Sequence, residues 1–211
     1  MPNEQIILNE KNDLNVLEEM VSSNYGEHNI LVYPDKSTLR EIYSCYCKLS
    51  LEYNNNSNCA SDEMILLFPS YETVQGVKRT LEKKAGIDVE KYEKDGSLAI
   101  IDSFEAYSRS PYSNDNTYKI VPLFKLLLQQ AEIFGKKGVS IISDLGLFYQ
   151  FQQTEELVKH ETSFAQKTNL NVKPFAAIEE TTLICLLNIK SKTYFHTTSR
   201  IWLLPQIHKR K

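Results

Sequence analysis

The chain has 211 residues, 42 % hydrophobic and 24 % charged, an ordinary globular mix that excludes disordered, collagen-like and coiled-coil proteins. Lys and Arg number 24 against 27 Asp and Glu, a net charge of −3, so the charge balance does not suit a protein built to coat nucleic acid or anionic lipid. At roughly 150 residues per domain, the length predicts one large domain with extras.

Asp13–Tyr25 carries Leu14, Leu17 and Val21 at helical spacing, with Gly26 as a stop, and predicts a short leading helix within an N-terminal extension over residues 1–27. His28–Tyr33 (HNILVY) is a compact apolar run ended by Pro34, suited to a strand buried on both faces. From Ser37, the steps Leu39, Ile42, Tyr43, Tyr46, Leu49 predict a helix to about Tyr53, with Ser37 as its cap, and Asn54–Ser61 reads as a surface loop. The alternation then repeats. Met64–Phe68 is a strand closed by Pro69, Tyr71–Lys84 a helix stopped by Gly86, and Ser97–Ile101 a third strand followed by Asp102. Tyr107–Tyr118 is the longest loop, Leu123–Phe134 an apolar helix, and Val139–Ser143 a strand ending at Asp144. Thr154–Lys167 is a helix capped by Thr154, and Thr181–Leu187 (TTLICLL) a fifth strand. Between them, Phe175–Ile178 reads equally as a helix end or a strand, and Lys192–Leu204 as a hairpin strand or a helix.

Strands that are continuous apolar runs, alternating with helices, specify a three-layer α/β domain over residues 28–211 with a mainly parallel sheet covered on both faces. Ligands of such sheets collect beyond the carboxyl ends of the strands. Here those ends carry Asp35, Lys36 and Ser37, then Ser70, then Asp102 and Glu105, then Asp144.

The first strand–turn–helix has the layout of a phosphate-binding loop, whose chemistry needs GxxxxGK[ST]: glycines turn backbone N–H groups around the phosphates, and the hydroxyl holds magnesium. The chain has Ile30-Leu31-Val32-Tyr33-Pro34-Asp35-Lys36-Ser37, with neither glycine, one N–H removed by Pro34, and a carboxylate where polyphosphate would sit. Conventional ATP hydrolysis at this loop is not expected. His160-Glu161 lacks the second histidine of HExxH, since Phe164 stands there, and no GxSxG elbow is present. Cys45 and Cys47 form no CxxC pair, and no Cys/His cluster completes a zinc site.

Lys94–Asp102 (KDGSLAIID) and Gly138–Leu145 (GVSIISDL) resemble the third strand and the Walker B strand of KaiC-like members of the RecA superfamily. With the phosphate loop missing, the chain is similar to the MEDS (methanogen/methylotroph, DcmR sensory) domain family, a KaiC-like fold without a Walker A motif. The resemblance is carried by His28 before the first strand with an acidic turn after it, by Glu161 late in the helix Glu155–Glu161, and by Cys185 in the last apolar run. It departs at Asn169–Glu180 and at Cys185-Leu186-Leu187, where the family has Cys-x-Tyr. It implies a sensing or signalling module without nucleotide hydrolysis and names no ligand.

The expected function is therefore a non-catalytic sensory domain that binds a small ligand or a regulatory protein through Asp35, Lys36, Ser37, Asp102, Glu105, Asp144 and Glu161, with no cofactor, no bound metal and no catalytic residue. Two alternatives stay open: a metal-dependent hydrolase using Asp102, Glu105 and Asp144, and a degenerate RecA-like adaptor that self-associates. The tail Ile207–Lys211 is basic, yet no helix-turn-helix, zinc finger or RNP-like sequence accompanies it, so nucleic acid is not an expected partner. No run reaches the ~18 apolar residues of a membrane helix, and Met1-Pro2-Asn3-Glu4-Gln5 places an acid where a secretory leader is positive. A cytoplasmic protein with cysteines as thiols follows.

Overall fold

A computed structural model describes residues 12–52, 62–108, 120–153, 157, 161, 169–189 and 200–203. In chain order the elements are α1 (Asn12–Ser22), β1 (Asn29–Tyr33), α2 (Lys36–Glu52), β2 (Glu63–Phe68), α3 (Val74–Thr80, extended by a π-helical turn Leu81–Ala85), α4 (Val89–Lys94), β3 (Leu98–Ile100), α5 (Ser103–Ser108), α6 (Ile120–Ile133), β4 (Gly138–Asp144), α7 (Gly146–Gln150), β5 (Val172–Glu179), α8 (Glu180–Ile189) and β6 (Arg200–Leu203). The six strands form one sheet in the order β3-β2-β4-β5-β1-β6, and every neighbouring pair is parallel. The three-layer parallel α/β architecture expected from the strand–helix alternation is the one observed. Among the described residues, no helix is long and apolar enough to cross a membrane.

Parallel strands turn alternate side chains to opposite faces, so each apolar run feeds two cores. One core joins Leu31, Tyr33, Ile65, Leu67 and Phe175 to α1, α2, α3 and α4. The other joins Ile30, Val32, Met64, Leu66 and Ile141 to α5, α6, α7 and Leu157. The β2–α3 connection therefore leaves toward the first face and the β4–α7 connection toward the second, although β2 and β4 are neighbours. Their loops part at that point, which is where parallel sheets open a crevice. The leading helix is part of the first core: Leu17 and Met20 are fully buried in it.

Several sequence expectations need correction. Thr181–Leu187 is not a strand but the body of α8, and the fifth strand is Val172–Glu179, which settles the ambiguous Phe175–Ile178 as strand. Lys192–Leu204 contributes a strand, Arg200–Leu203, paired parallel to β1 and not as a hairpin. Tyr107 and Ser108 belong to α5, and the rest of the expected long loop, like Asn54–Ser61, lies outside the described residues. Of the expected helix Thr154–Lys167, only Leu157 and Glu161 are described, both helical, and Thr154 lies outside. Residues 1–11 and the basic tail lie outside as well. The cap of α2 is Asp35, not Ser37: its Oδ1 accepts the N–H groups of Ser37 at 2.8 Å and Thr38 at 3.0 Å.

At the amino end of the sheet, Glu63 accepts hydrogen bonds from the Tyr25 hydroxyl (2.8 Å) and the Ser140 hydroxyl (2.6 Å) and pairs with Lys173 at 2.8 Å. Lys173 also donates to the carbonyl of Val21 at 3.1 Å, a cation on the last turn of α1. This buried polar group ties the leading helix to β2, β4 and β5.

Candidate functional site

The carboxyl ends of β1, β2 and β4 meet on Asp144. Asp144 is the last residue of β4 and only 3 % exposed. The register aligns Asp144 with Ala177 and Ala177 with Leu31, so β1 runs two residues further than β4. That extension lets the Tyr33 hydroxyl reach back across β5 and donate to Asp144 Oδ1 at 3.0 Å. The backbone N–H of Gly146 donates to the same oxygen at 3.1 Å, and the Ser70 hydroxyl donates to Oδ2. A Cβ at residue 146 would stand 3.1 Å from the Ser70 hydroxyl and 3.3 Å from Asp144 Oδ1, so glycine is what lets the β4–α7 turn close on the carboxylate. Burial pushes the Asp144 carboxyl above its usual range, opposed by the Ser70, Gly146 and Tyr33 hydrogen bonds. Burial, aided by the Asp144 charge, pushes the Tyr33 phenol up as well.

Beside this carboxylate, toward the first face, lies a cavity of about 20 Å³, the size of one water molecule, walled by Leu39, Tyr43, Leu67, Val77 and Ile142 and reaching Tyr71 and Asp144. Tyr71 follows Ser70 in the short β2–α3 connection. Its ring lies under two cations, with Lys36 Nζ and the Arg40 guanidinium carbon each 5.4 Å from the ring centroid. Arg40 is held in turn by Glu72 at 2.9 Å, and the Tyr43 hydroxyl donates to the same carboxylate at 3.4 Å.

The residues expected to form the site divide into three groups. Lys36 and Asp144 are placed at the same crevice, joined through Tyr71. Asp35 and Asp102 are helix caps: Asp35 serves α2, and Asp102 Oδ1 accepts the N–H of Glu105 at 3.2 Å at the start of α5. Ser37 contributes its backbone N–H to the Asp35 cap. Because β3 is separated from β4 by β2, Asp102 and Glu105 stand two strands away from Asp144, about 10 Å at ordinary strand spacing. Among the described residues, no three His, Cys, Asp or Glu side chains gather to hold a metal ion.

Glu161 is the third case. It stands 3.4 Å from His28 Nε2, at the start of β1, roughly a strand's length of ~16 Å from its carboxyl end. It is not part of the strand-end crevice. Both partners are buried in the second layer, His28 at 4 % and Glu161 at 10 % exposure. Burial lowers the His28 imidazole from 6.5 to about 4 and raises the Glu161 carboxyl from 4.5 to about 8. A second cavity of about 20 Å³ borders His28, Phe68, Tyr107, Ser143 and Leu145, with the Tyr107 and Ser143 hydroxyls 2.5 Å apart. Tyr33, Tyr71, Arg40 and Glu72 were missed by sequence reasoning. Tyr33 read only as a strand residue, and the other three carry no local motif, since their roles come from contacts some 30 to 110 residues apart.

Cys45 and Cys47 lie on α2, neither in a disulfide, and burial raises the Cys47 thiol, which keeps it protonated and inert. Cys185 falls on α8, not on a strand. Comparison with known proteins finds no family model and no curated sequence that matches this chain.

Proposed function

We propose that the chain is a non-catalytic sensory or signalling domain, KaiC/RecA-like and akin to the MEDS family, that binds a small ligand or a regulatory protein at the carboxyl ends of its strands. The observation that carries this reading is the state of the first turn of α2. The N–H groups of Ser37 and Thr38, which a phosphate at this helix start would need, already donate to the carboxylate of Asp35. A resident negative charge on those donors repels a triphosphate, and Pro34 removes a further donor. The acid at the end of β4 is likewise committed, its oxygens taken by Tyr33, Ser70 and Gly146. What remains is a crevice with a buried acid, tyrosines and two cations, suited to recognition and lacking the donors for phosphoryl transfer.

The proposal places the protein in the cytoplasm, with self-association as a further route by which such a domain passes on its signal. The metal-dependent hydrolase gains no support, since Asp144 stands two strands away from Asp102 and Glu105.

A thermal-shift screen of the purified protein against small metabolites tests the reading. Stabilising compounds are expected to slow hydrogen exchange in residues 33–39, 69–73 and 144–147, with no release of phosphate from ATP. Phosphate release that Lys36→Ala abolishes would contradict it.

A further inference from the structure

The two layers of helices meet solvent differently. Over the first face, the outer surfaces of α3, its π-helical turn and α4 are charged, with Arg79, Glu82, Lys83, Glu90 and Lys91 exposed, as an uncovered helix face normally is. Over the second face they are apolar. Leu126 (52 % exposed), Ile133 (73 %) and Phe134 (46 %) stand out on α6 or at its end, and Phe104, Tyr149 and Phe151 on or beside α5 and α7. Among the described residues, Val21 is the only large apolar side chain exposed on the first layer. The cause lies in the sequence of α6, Ile120–Ile133 (IVPLFKLLLQQAEI), which holds only two charges, Lys125 and Glu132. A helix so apolar is normally covered all round. Here the domain covers Leu123, Phe124, Leu127 and Ala131 and leaves the opposite side open.

Resting on the self-association included in the proposed function, we infer that this face is a homodimer interface in which α6 packs antiparallel on α6 of a second copy. Leu126 and Ile133 are two turns apart on one stripe, flanked on one side by Lys125, Gln129 and Glu132 and on the other by Gln130, all exposed. The stripe is complementary to itself about a two-fold axis between Gln129 and Gln130. Leu126 then opposes Ile133 of the second copy, and the glutamines meet at the axis. Like flanks face each other in an antiparallel pair, so Lys125 comes opposite Glu132 of the second copy, twice over. The area also suffices. At about 100 Å² apiece, half the surface of an aromatic side chain, the six exposed apolar groups of this layer amount to about 600 Å², the upper end of what monomers leave uncovered. Homodimer interfaces are ~65 % apolar, so that area corresponds to about 900 Å² per copy, against the ~800 Å² each partner gives a standard interface.

Sedimentation equilibrium of the full chain, from micromolar to millimolar concentration, tests this, and a reversible dimer is expected. Ile133→Lys brings a charge into the seam at an exposed position, so it is expected to weaken the dimer about tenfold or more while leaving the circular dichroism spectrum unchanged. Lys125→Glu sets acid against acid across the axis and is expected to weaken the dimer as well. Adding Glu132→Lys to the same chain restores opposite charges and is expected to recover the affinity, a rescue that only the antiparallel pairing of α6 provides. A chain that stays monomeric throughout, a dimer indifferent to Ile133→Lys, or a double variant no tighter than Lys125→Glu alone overturns the inference. A monomeric chain would leave the reading of the strand ends standing, and turnover of ATP would leave the dimer standing, so the two fail separately.

Discussion

Asp144→Ala is expected to lower the stability of the chain by about 3 kcal/mol, because it leaves the buried Tyr33 hydroxyl, the half-buried Ser70 hydroxyl and the Gly146 N–H without their acceptor. Tyr33, only 2 % exposed, loses the acceptor of its hydroxyl once the carboxylate is gone. Ser70 and Gly146 lose the contact that joins the ends of β2 and β4. For a chain of this size the melting temperature should fall by roughly 6–12 °C. Asp144→Asn keeps one oxygen for Tyr33 and Gly146 and offers its amide to a reoriented Ser70 hydroxyl, so it should cost about 1 kcal/mol. Urea unfolding of the two variants against the parent reads the difference. Equal losses would mean that the charge, and not the hydrogen bonds, holds the crevice together.

The second large effect is a dependence of stability on pH that arises from His28 and Glu161. The folded Glu161 carboxyl keeps its proton up to about pH 8, against an ordinary value of 4.5, so its contribution is complete below 4.5 and is lost as pH rises through 8. The folded His28 imidazole stays neutral down to about pH 4, against 6.5, so its contribution is complete above 6.5 and is lost as pH falls through 4. Between 4.5 and 6.5 the two slopes cancel, since the folded pair and the unfolded chain each hold one proton. Above 6.5 only the Glu161 slope remains, at about 1.4 kcal/mol per pH unit. Stability should therefore fall by about 2 kcal/mol from pH 6.5 to 8, beyond which the fold carries a buried carboxylate. Glu161→Gln, which keeps the shape and cannot ionise, should flatten that slope in urea unfolding at pH 6.5 and 8. An unaltered slope in the variant would assign the effect to other groups.

The frame was legible wherever an element carried its own signal. Ile30–Tyr33 of β1 and Met64–Phe68 of β2 are uninterrupted apolar runs and β4 is apolar but for its serines and terminal acid, the composition that a strand covered on both faces needs. β5 hid because VKPFAAIE contains a lysine, a proline and two alanines, while the following TTLICLL has the β-branched look of a strand and is a helix. Proline is tolerated in this central strand for a register reason. Val139 N–H donates to Asn171 and Leu145 N–H to Ala177, so odd positions of β5 face β4 and Pro174 turns its missing N–H toward β1. Pairing with β1 begins only opposite Phe175, one residue later, so no ladder bond is lost. Lys173 is tolerated because Glu63 and the Val21 carbonyl receive it, partners that no local pattern reveals.

For the site, an acid ending an apolar run pointed to Asp144, whose carboxylate joins the ends of β1, β2 and β4. The same logic pointed to Asp35 and Asp102, whose carboxylates accept N–H groups at the starts of α2 and α5, a capping role that the strand-end pattern alone does not distinguish from a ligand-facing one. Glu161 was expected at the cleft and instead meets His28 across the second layer, a contact spanning 133 positions that helical periodicity does not encode.

Calorimetric titration of the purified protein with ATP and magnesium tests the central claim most directly. With Asp35 seated on the donors of α2, no heat of binding is expected for the parent chain. Saturable binding of the nucleotide that is lost in Lys36→Ala would contradict the account, since it would mean that the helix start still accepts a triphosphate in the presence of its own carboxylate.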